Sequence, residues 1–212
     1  MFQAFLARLL SPLSYRTRPD TGAGGATVTG CFIGDLALDY AIHYARYGGE
    51  NLWDGRTWTM PRYKEDLQVM RHRCTVAVPN GQVTLMPMEY QATSFVSDGF
   101  PNVQALKSTG SSSMKNWMQK QCIAPFEEFH FVVLSKDEKL PPRMTIRVGN
   151  GRETLVELTE EELPESSTLN AFTAAQVLER KMPAGRSVQM ENARYILVHG
   201  ILLNSVEECL RW

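Results

Sequence analysis

Phe126-Glu-Glu-Phe-His-Phe-Val-Val-Leu134 is the stretch on which the fold turns. From Phe129 to Leu134 it is aromatic and β-branched, without glycine or proline, and it reads as a strand long enough to be central. On its C-terminal side, residues 144–148 and 154–158 flank Gly149-Asn-Gly151, a hairpin signal. On its N-terminal side, residues 74–78 and 83–88 flank Pro79-Asn-Gly81, which predicts another hairpin because Asn-Gly readily takes positive φ. Residues 3–10 read as a first strand, and 11–30, with Pro12, Pro19 and Gly22-Ala-Gly-Gly25, as a long loop. Asp35 is the expected N-cap of a helix reaching about Arg46, closed by Gly48-Gly49, with Leu36, Tyr40, Ala41 and Tyr44 on one face. Residues 50–70 start irregular and turn helical over 63–70. A second helix is expected over 169–180, burying Phe172, Ala175, Val177 and Leu178, and one or two closing strands over 187–204. This order predicts an α+β, ferredoxin-like (RRM-like) βαββαβ core within one domain, 1–212. A long insertion, about 48–122, separates the first helix from the central strand.

The chain has 212 residues, 43% hydrophobic and 21% charged, which suits one sizeable soluble core and not a disordered chain. The apolar run 2–10 is broken by Gln3 and Arg8 and carries no signal-peptide flanks. No run has the roughly 18 apolar residues of a membrane span, so a cytoplasmic protein with no membrane partner is expected. Cys31, Cys74, Cys122 and Cys209 form no CxxC pair, and there is no HxH or HExxH. No metal and no cofactor is therefore expected. Gly22-Ala-Gly-Gly25 lacks the Gly-Lys-Ser/Thr ending of a phosphate-binding loop.

Formal net charge is −1, yet the charge is unevenly spread. Residues 1–18 carry Arg8, Arg16 and Arg18 and no acid; residues 56–73 carry five basic residues against Glu65 and Asp66. Residues 107–147 hold seven basic residues against four acids, whereas 153–165 holds six glutamates. The expectation is a basic face and a separate acidic edge. Within the basic part, Lys107-Ser-Thr-Gly-Ser-Ser-Ser-Met-Lys-Asn-Trp117 combines two lysines, five hydroxyls, a glycine and an indole. Such a segment cannot bury a core. It can contact phosphate and ribose through its lysines and hydroxyls and stack a base on its ring.

Catalysis on RNA would need a base for the 2′-hydroxyl, an acid for the leaving oxygen and a cation for the phosphorane. The sharpest set available is His43 as base, Tyr40 or Tyr44 as orienter and Lys64 as electrophile, with His72 downstream. A helix histidine with core tyrosines explains the same residues, and the balance of the reading is against an enzyme.

Several phrases then align in order: Phe5-Leu-Ala-Arg-Leu-Leu10, Tyr15-Arg-Thr-Arg18, Leu36-Ala-Leu-Asp-Tyr-Ala-Ile-His-Tyr-Ala45 and Pro61-Arg-Tyr-Lys-Glu-Asp-Leu67. Lys107 to Lys115, Ala124-Pro-Phe-Glu-Glu-Phe129, Lys139-Leu-Pro-Pro-Arg143, Ile146-Arg-Val-Gly149, Leu169-Asn-Ala-Phe172 and Glu191-Asn-Ala193 continue the series. Over about residues 3–195 the chain resembles the small RAMP subunit of type I-D CRISPR effector complexes, the Csc-one or Cas-five group. That resemblance implies an RRM-like RAMP core with a thumb-like insertion. It also implies a non-catalytic subunit that caps the 5′ handle of the CRISPR RNA and docks the large subunit and the backbone RAMP filament, with target DNA near the PAM as a further partner. The alternatives are a metal-independent endoribonuclease built on His43 and a pure protein-interaction scaffold anchored by Trp53, Trp58 and Trp117. The residues expected to contact RNA are Arg16, Arg18, Tyr63, Lys64, Lys107, Ser108, Ser111, Ser112, Lys115, Trp117, Lys139, Arg143 and Arg147.

Overall fold

Phe2–Leu9 forms β1, the strand around which the main sheet is built. Its large and small residues face those of its neighbours: Phe5 lies opposite Phe131 and Ala7 opposite Phe129 on β6 (Glu128–Ser135). On its other side Ala7 meets Leu158 and Leu9 meets Val156 on β8 (Thr154–Glu161). The Phe5 and Phe131 rings stack with centroids 5.9 Å apart. Phe5, Ala7, Leu9, Phe129, Phe131, Val133, Val156 and Leu158 form one buried cluster with Leu38, Ala41 and Ile42 of helix α1 (Asp35–Tyr47). Burying each large side chain there contributes about 1.5–3 kcal/mol.

The computed structural model describes residues 1–15, 29–52, 62–93, 115–149 and 153–212, with backbone alone over 88–93 and 115–120. Among them the main sheet has six antiparallel-paired strands in the order β2-β6-β1-β8-β7, with β3 also on β6. Here β2 is His72–Cys74, β3 is Val78–Pro79 and β7 is Arg143–Val148. Both β2 and β3 lie along one edge of β6, and between them Thr75 keeps the ladder through its N–H to the Val132 carbonyl (2.9 Å) and its Oγ1, which accepts from Val132 N–H (2.9 Å). Val76 N–H leaves that edge for the Thr168 carbonyl (2.9 Å) and so ties the main sheet to a second one. The second sheet runs β10-β11-β9: Ser187–Asn192, Tyr195–Leu202 and Ser166–Asn170. Two further strands, β4 (Leu85–Thr93) and β5 (Lys115–Ile123), form a ribbon of their own, which Ile123 ties to Leu13 through two backbone hydrogen bonds (2.8 and 3.0 Å). Helices α2 (Tyr63–Val69) and α3 (Leu203–Leu210) complete the described elements. No helix among the described residues is long and apolar enough to cross a membrane.

The α+β content and the central place of residues 129–134 agree with the sequence reading. The hairpin at 144–158 also forms, with Val148 opposite Thr154 and Gly149 at φ 85°. The hairpin at Asn80-Gly81 does not. The strands before it take the free edge of β6, β4 pairs with β5 instead, and neither Asn80 nor Gly81 has positive φ. The expected helix over 169–180 is mostly something else. Leu169 and Asn170 belong to β9, opposite Val198 and Leu197 of β11. Asn170 Oδ1 then accepts the Phe172 N–H (3.2 Å), and only a short helical stretch follows, ending in the π-helical turn Thr173–Val177. Ala175, expected inside, is exposed, while Ala174 and Val177 are buried. Asp35 is the first residue of α1 and not its N-cap, which is Gly34. The stretch expected as one insertion, about 48–122, contributes β2 and β3 to the main sheet as well as the separate β4–β5 ribbon. Helix α3 has no counterpart in the sequence reading. It buries Val206, Cys209 and Leu210, and Arg73 Nη1 donates to the Leu210 and Arg211 carbonyls at its C-terminal end (both 2.9 Å).

Candidate functional site

Helix α1 presents two different stripes. Asp35, Leu38, Asp39, Ile42 and His43 are buried. Ala37, Tyr40, Ala41, Tyr44 and Ala45, spaced at one helical turn, line two open clefts where α1 faces β7. Of the face picked out in the sequence, Tyr40 and Tyr44 border the clefts half-buried, while Leu36 and Ala41, which also touch them, are buried. The core side was disguised by two aspartates.

The first cleft, about 280 Å³, is lined by Leu36, Ala37, Tyr40, Ala41, Tyr63, Arg147, Val148, Gly149 and Tyr195. The chain needs several local devices to assemble it. Tyr195 lies over Gly34, where a Cβ would come within 2.7 Å of its ring and hydroxyl, so only glycine fits. Phe32 backs Tyr195 edge-on (5.0 Å) and Tyr15 backs Phe32 (5.7 Å). The β10–β11 turn that carries Arg194 and Tyr195 is pinned from both sides. Asn192 Oδ1 accepts the Arg194 and Tyr195 N–H groups (2.8 and 3.1 Å), and Asn170 Nδ2 donates to the Arg194 carbonyl (2.9 Å). Tyr40 and Tyr63 meet edge-on at 6.1 Å. The Tyr40 hydroxyl donates to Asp66, and burial followed by that hydrogen bond holds its pKa far above the ordinary phenol value. Burial also raises the Tyr63 and Tyr195 phenols, while the nearby Arg194 guanidinium pulls both back down. All three tyrosines are neutral hydrogen-bonding rings at any physiological pH.

The second cleft, about 370 Å³, is lined by Ala41, Tyr44, Ala45, Thr145, Ile146, Arg147 and Leu155. Arg147 belongs to both clefts and is exposed. Among the described residues neither Arg147 nor Arg194 lies within salt-bridge distance of a carboxylate. Two unneutralised guanidiniums beside accessible aromatic rings are what a single-stranded polyanion needs: charge for phosphate and π-faces for bases.

A larger groove, about 470 Å³, lies beside β6 and β9 and includes Asn80, His130, Glu161, Glu162 and Ser167. Here His130 Nδ1 donates to Glu161 (2.8 Å) and its Nε2 meets Asn80 (2.6 Å). Its two glutamates oppose phosphate, so its size does not suit it to a polyanion.

Of the residues nominated from sequence, the structure brings Tyr63 and Arg147 into the first cleft. Lys64 instead binds Glu179, and Arg143 Nε donates to Glu157 across the β7–β8 hairpin (2.9 Å). That second pair also corrects the expected separation of a basic face from an acidic edge, because the two charge runs are neighbouring strands. Lys139 is exposed next to Glu138, which takes Arg46 (3.8 Å) and the Tyr47 hydroxyl (3.2 Å). Lys115 and Trp117 lie on β5 opposite Thr93 and Gln91. Arg16, Arg18, Lys107, Ser108, Ser111 and Ser112 lie outside the described residues. Sequence reasoning missed Arg194 and Tyr195. The signal was Asn192-Ala-Arg-Tyr195, a turn asparagine followed by a base and an aromatic residue.

The histidine set does not assemble. His43 is buried (3% exposed), its Nε2–H donates to the Glu50 carbonyl (2.8 Å), and its ring stacks on His72 at 6.1 Å. His72 Nε2–H donates to the Asp39 carbonyl (3.0 Å), and burial lowers its pKa to about 4. Tyr40 is committed to Asp66 and Lys64 to Glu179. Among the described residues no cluster of three or more metal-binding side chains occurs.

The family described as "Type I-D CRISPR-associated protein Cas5/Csc1" matches residues 1–196. No curated protein matches the chain. Among solved structures, a chain of the Type III-B Cmr-beta complex bound to cognate target RNA and AMPPnP is 9% identical with a TM-score of 0.49, covering 94% of this chain and 84% of that one. A chain of Cmr-beta bound to cognate target RNA is 7% identical with a TM-score of 0.43, covering 94% and 85%.

Proposed function

The chain belongs to the type I-D Cas5/Csc1 family of CRISPR-associated proteins, and from that premise we propose that it is a non-catalytic RNA-binding subunit of the effector complex. In this reading it holds the 5′ handle of the CRISPR RNA and docks the large subunit and the backbone filament. The observation that carries it is the pair of clefts between α1 and β7, where Arg147 lines both beside Tyr40, Tyr63 and Tyr195, and the Arg194 guanidinium lies near enough to Tyr63 and Tyr195 to act on both phenols. The non-catalytic reading is supported by the same helix, whose histidine is buried on the Glu50 carbonyl while Tyr40 and Lys64 are bound to Asp66 and Glu179.

The core is read as ferredoxin-like. β1 and β2 run parallel, α1 lies between them in the chain, β6 fits antiparallel between them, and β8 flanks β1. In the chain, β7 takes the place of the second crossover helix between β6 and β8, and in space it extends the sheet beside β8. The β4–β5 ribbon is the natural thumb, and it carries Lys115 and Trp117.

The test is reconstitution of the effector complex with an Arg147→Ala/Arg194→Ala double variant. Guide-RNA affinity should fall by about 10- to 100-fold and the salt dependence should flatten by about two units of slope. Wild-type binding across the titration would remove this cleft from the RNA path. Incubating the complex with repeat RNA in EDTA should give no cleavage assignable to this subunit; specific cleavage abolished by His43→Ala would reinstate the nuclease.

A further inference from the structure

We infer that the two clefts are consecutive nucleotide subsites, one reading a base by hydrogen bonds and the next accepting any base, with Arg147 on the phosphate between them. The inference rests on the RNA-binding reading above and adds a register and a division of labour to it.

Three observations carry it. First, Arg147 and Ala41 line both clefts, so the two cavities share a wall and a cation. Second, the rings that mark them, Tyr40 and Tyr44, are four residues apart on α1, about 6 Å along the helix axis. That exceeds the roughly 3.4 Å rise of stacked bases, so a strand crossing both clefts must have its two bases unstacked, the form in which RNA base edges are read. Third, the clefts differ in chemistry. In the first, the half-buried Tyr63 and Tyr195 line the cleft, and their hydroxyls have no hydrogen-bond partner among the described residues. Each can donate one hydrogen bond and accept others, which suits the edge of a base. The Tyr40 hydroxyl is not available, because it is bound to Asp66. In the second cleft the lining beside Arg147 is Ala41, Tyr44, Ala45, Thr145, Ile146 and Leu155. The Tyr44 ring is set against Gly49, where a Cβ would come within 2.4 Å of it, so the ring is held by backbone. A ring fixed in this way beside a mostly aliphatic lining offers stacking, which tolerates every base.

The experiment uses the reconstituted complex and guide RNAs in which 2-aminopurine is walked through the 5′ handle, followed by single-base substitutions at the responding positions. Two adjacent positions should change fluorescence on binding, and one of the two should show base preference. Tyr63→Phe/Tyr195→Phe should weaken binding of the preferred base by about tenfold more than that of the other bases, the value of one or two lost hydrogen bonds. Tyr44→Ala should alter the fluorescence of the other position and weaken all handle sequences alike. Responding positions that are not adjacent, or a base preference unchanged in the double phenylalanine variant, would overturn the two-subsite assignment. If guide binding still depends on Arg147 and Arg194 in that case, the RNA-binding reading stands without it. If binding ignores the arginines as well, both fall.

Discussion

The two sides of α1 carry similar residues and do opposite things. The buried side holds Asp35, Asp39 and His43, three groups that a reader looking for chemistry would choose first. The open side holds Tyr40 and Tyr44, which look like core. Packing reverses those roles. Asp39 Oδ1 accepts the Cys74 N–H (2.7 Å) and, enclosed with Asp35, has a pKa well above the ordinary carboxylate value, chiefly from burial. Asp35 is likewise raised by burial and is held by Asn170 Nδ2 (3.3 Å). These groups replace backbone partners between α1 and the sheets. What faces solvent is aromatic and basic, suited to holding a ligand more than to moving its protons.

The largest effect should come from the buried side. Leu38→Ala or Ile42→Ala removes a fully buried side chain from the main cluster and should cost about 2–5 kcal/mol in urea unfolding. A loss below about 1 kcal/mol would mean that α1 is not docked on the sheet in this way.

Next is a pH effect. His72 titrates near 6.5 when unfolded and about 4 when folded, so the unfolded chain takes up its proton first as pH falls. Stability should therefore drop by about 3 kcal/mol between pH 6.5 and 4, then level. Asp39, raised in the folded state, acts with the opposite sign: its contribution is present at low pH and is lost as pH rises through its folded pKa. The clean measurement is the difference between wild type and His72→Gln across that window. Parallel curves would show that His72 is not the group responsible.

Smaller still, Asp39→Asn keeps a side-chain oxygen to accept the Cys74 N–H and should change stability by no more than about 1 kcal/mol. Asp39→Ala leaves that buried N–H without a partner and should cost about 1–3 kcal/mol. Equal losses in the two variants would show that Asp39 does not act chiefly as the acceptor for the Cys74 N–H.

The smallest stability change belongs to the open side. Tyr63→Phe and Arg147→Ala should leave unfolding within about 0.5 kcal/mol. Only the arginine variant should lower RNA affinity markedly, by about tenfold. A large destabilisation from either would make the cleft part of the core and erase the contrast between the two sides.

The legible parts of this fold were local. Alternating or continuous apolar runs marked β1, β6, β7 and β8, and Gly149 marked the turn between the last two, because those patterns arise from side-chain alternation and backbone freedom within a few residues. The family phrases, spread from residue 3 to 195, were legible for the same reason. Residues 169–170 misled because a short apolar run fits a helix or a strand. The β11 edge waiting at Leu197 and Val198 decided between them. The Asn80-Gly81 turn misled because a turn signal says nothing about which edge its flanking strands will find.

Composition and spacing by themselves determined that this is an α+β chain with a central strand at 129–134, a helix from about 35 to 46, and basic and aromatic residues suited to RNA. Only the tertiary structure decided which of those residues work together. Arg143 and Lys64 are spent on Glu157 and Glu179, while Arg147 from β7, Tyr63 from α2 and Tyr195 from the β10–β11 turn converge on one cleft, with Arg194 near its tyrosines. The physical reason is that an ion pair or a stacked ring depends on distances between strands far apart in the chain. A sequence records each residue's chemistry, whereas the sheet register sets its neighbours.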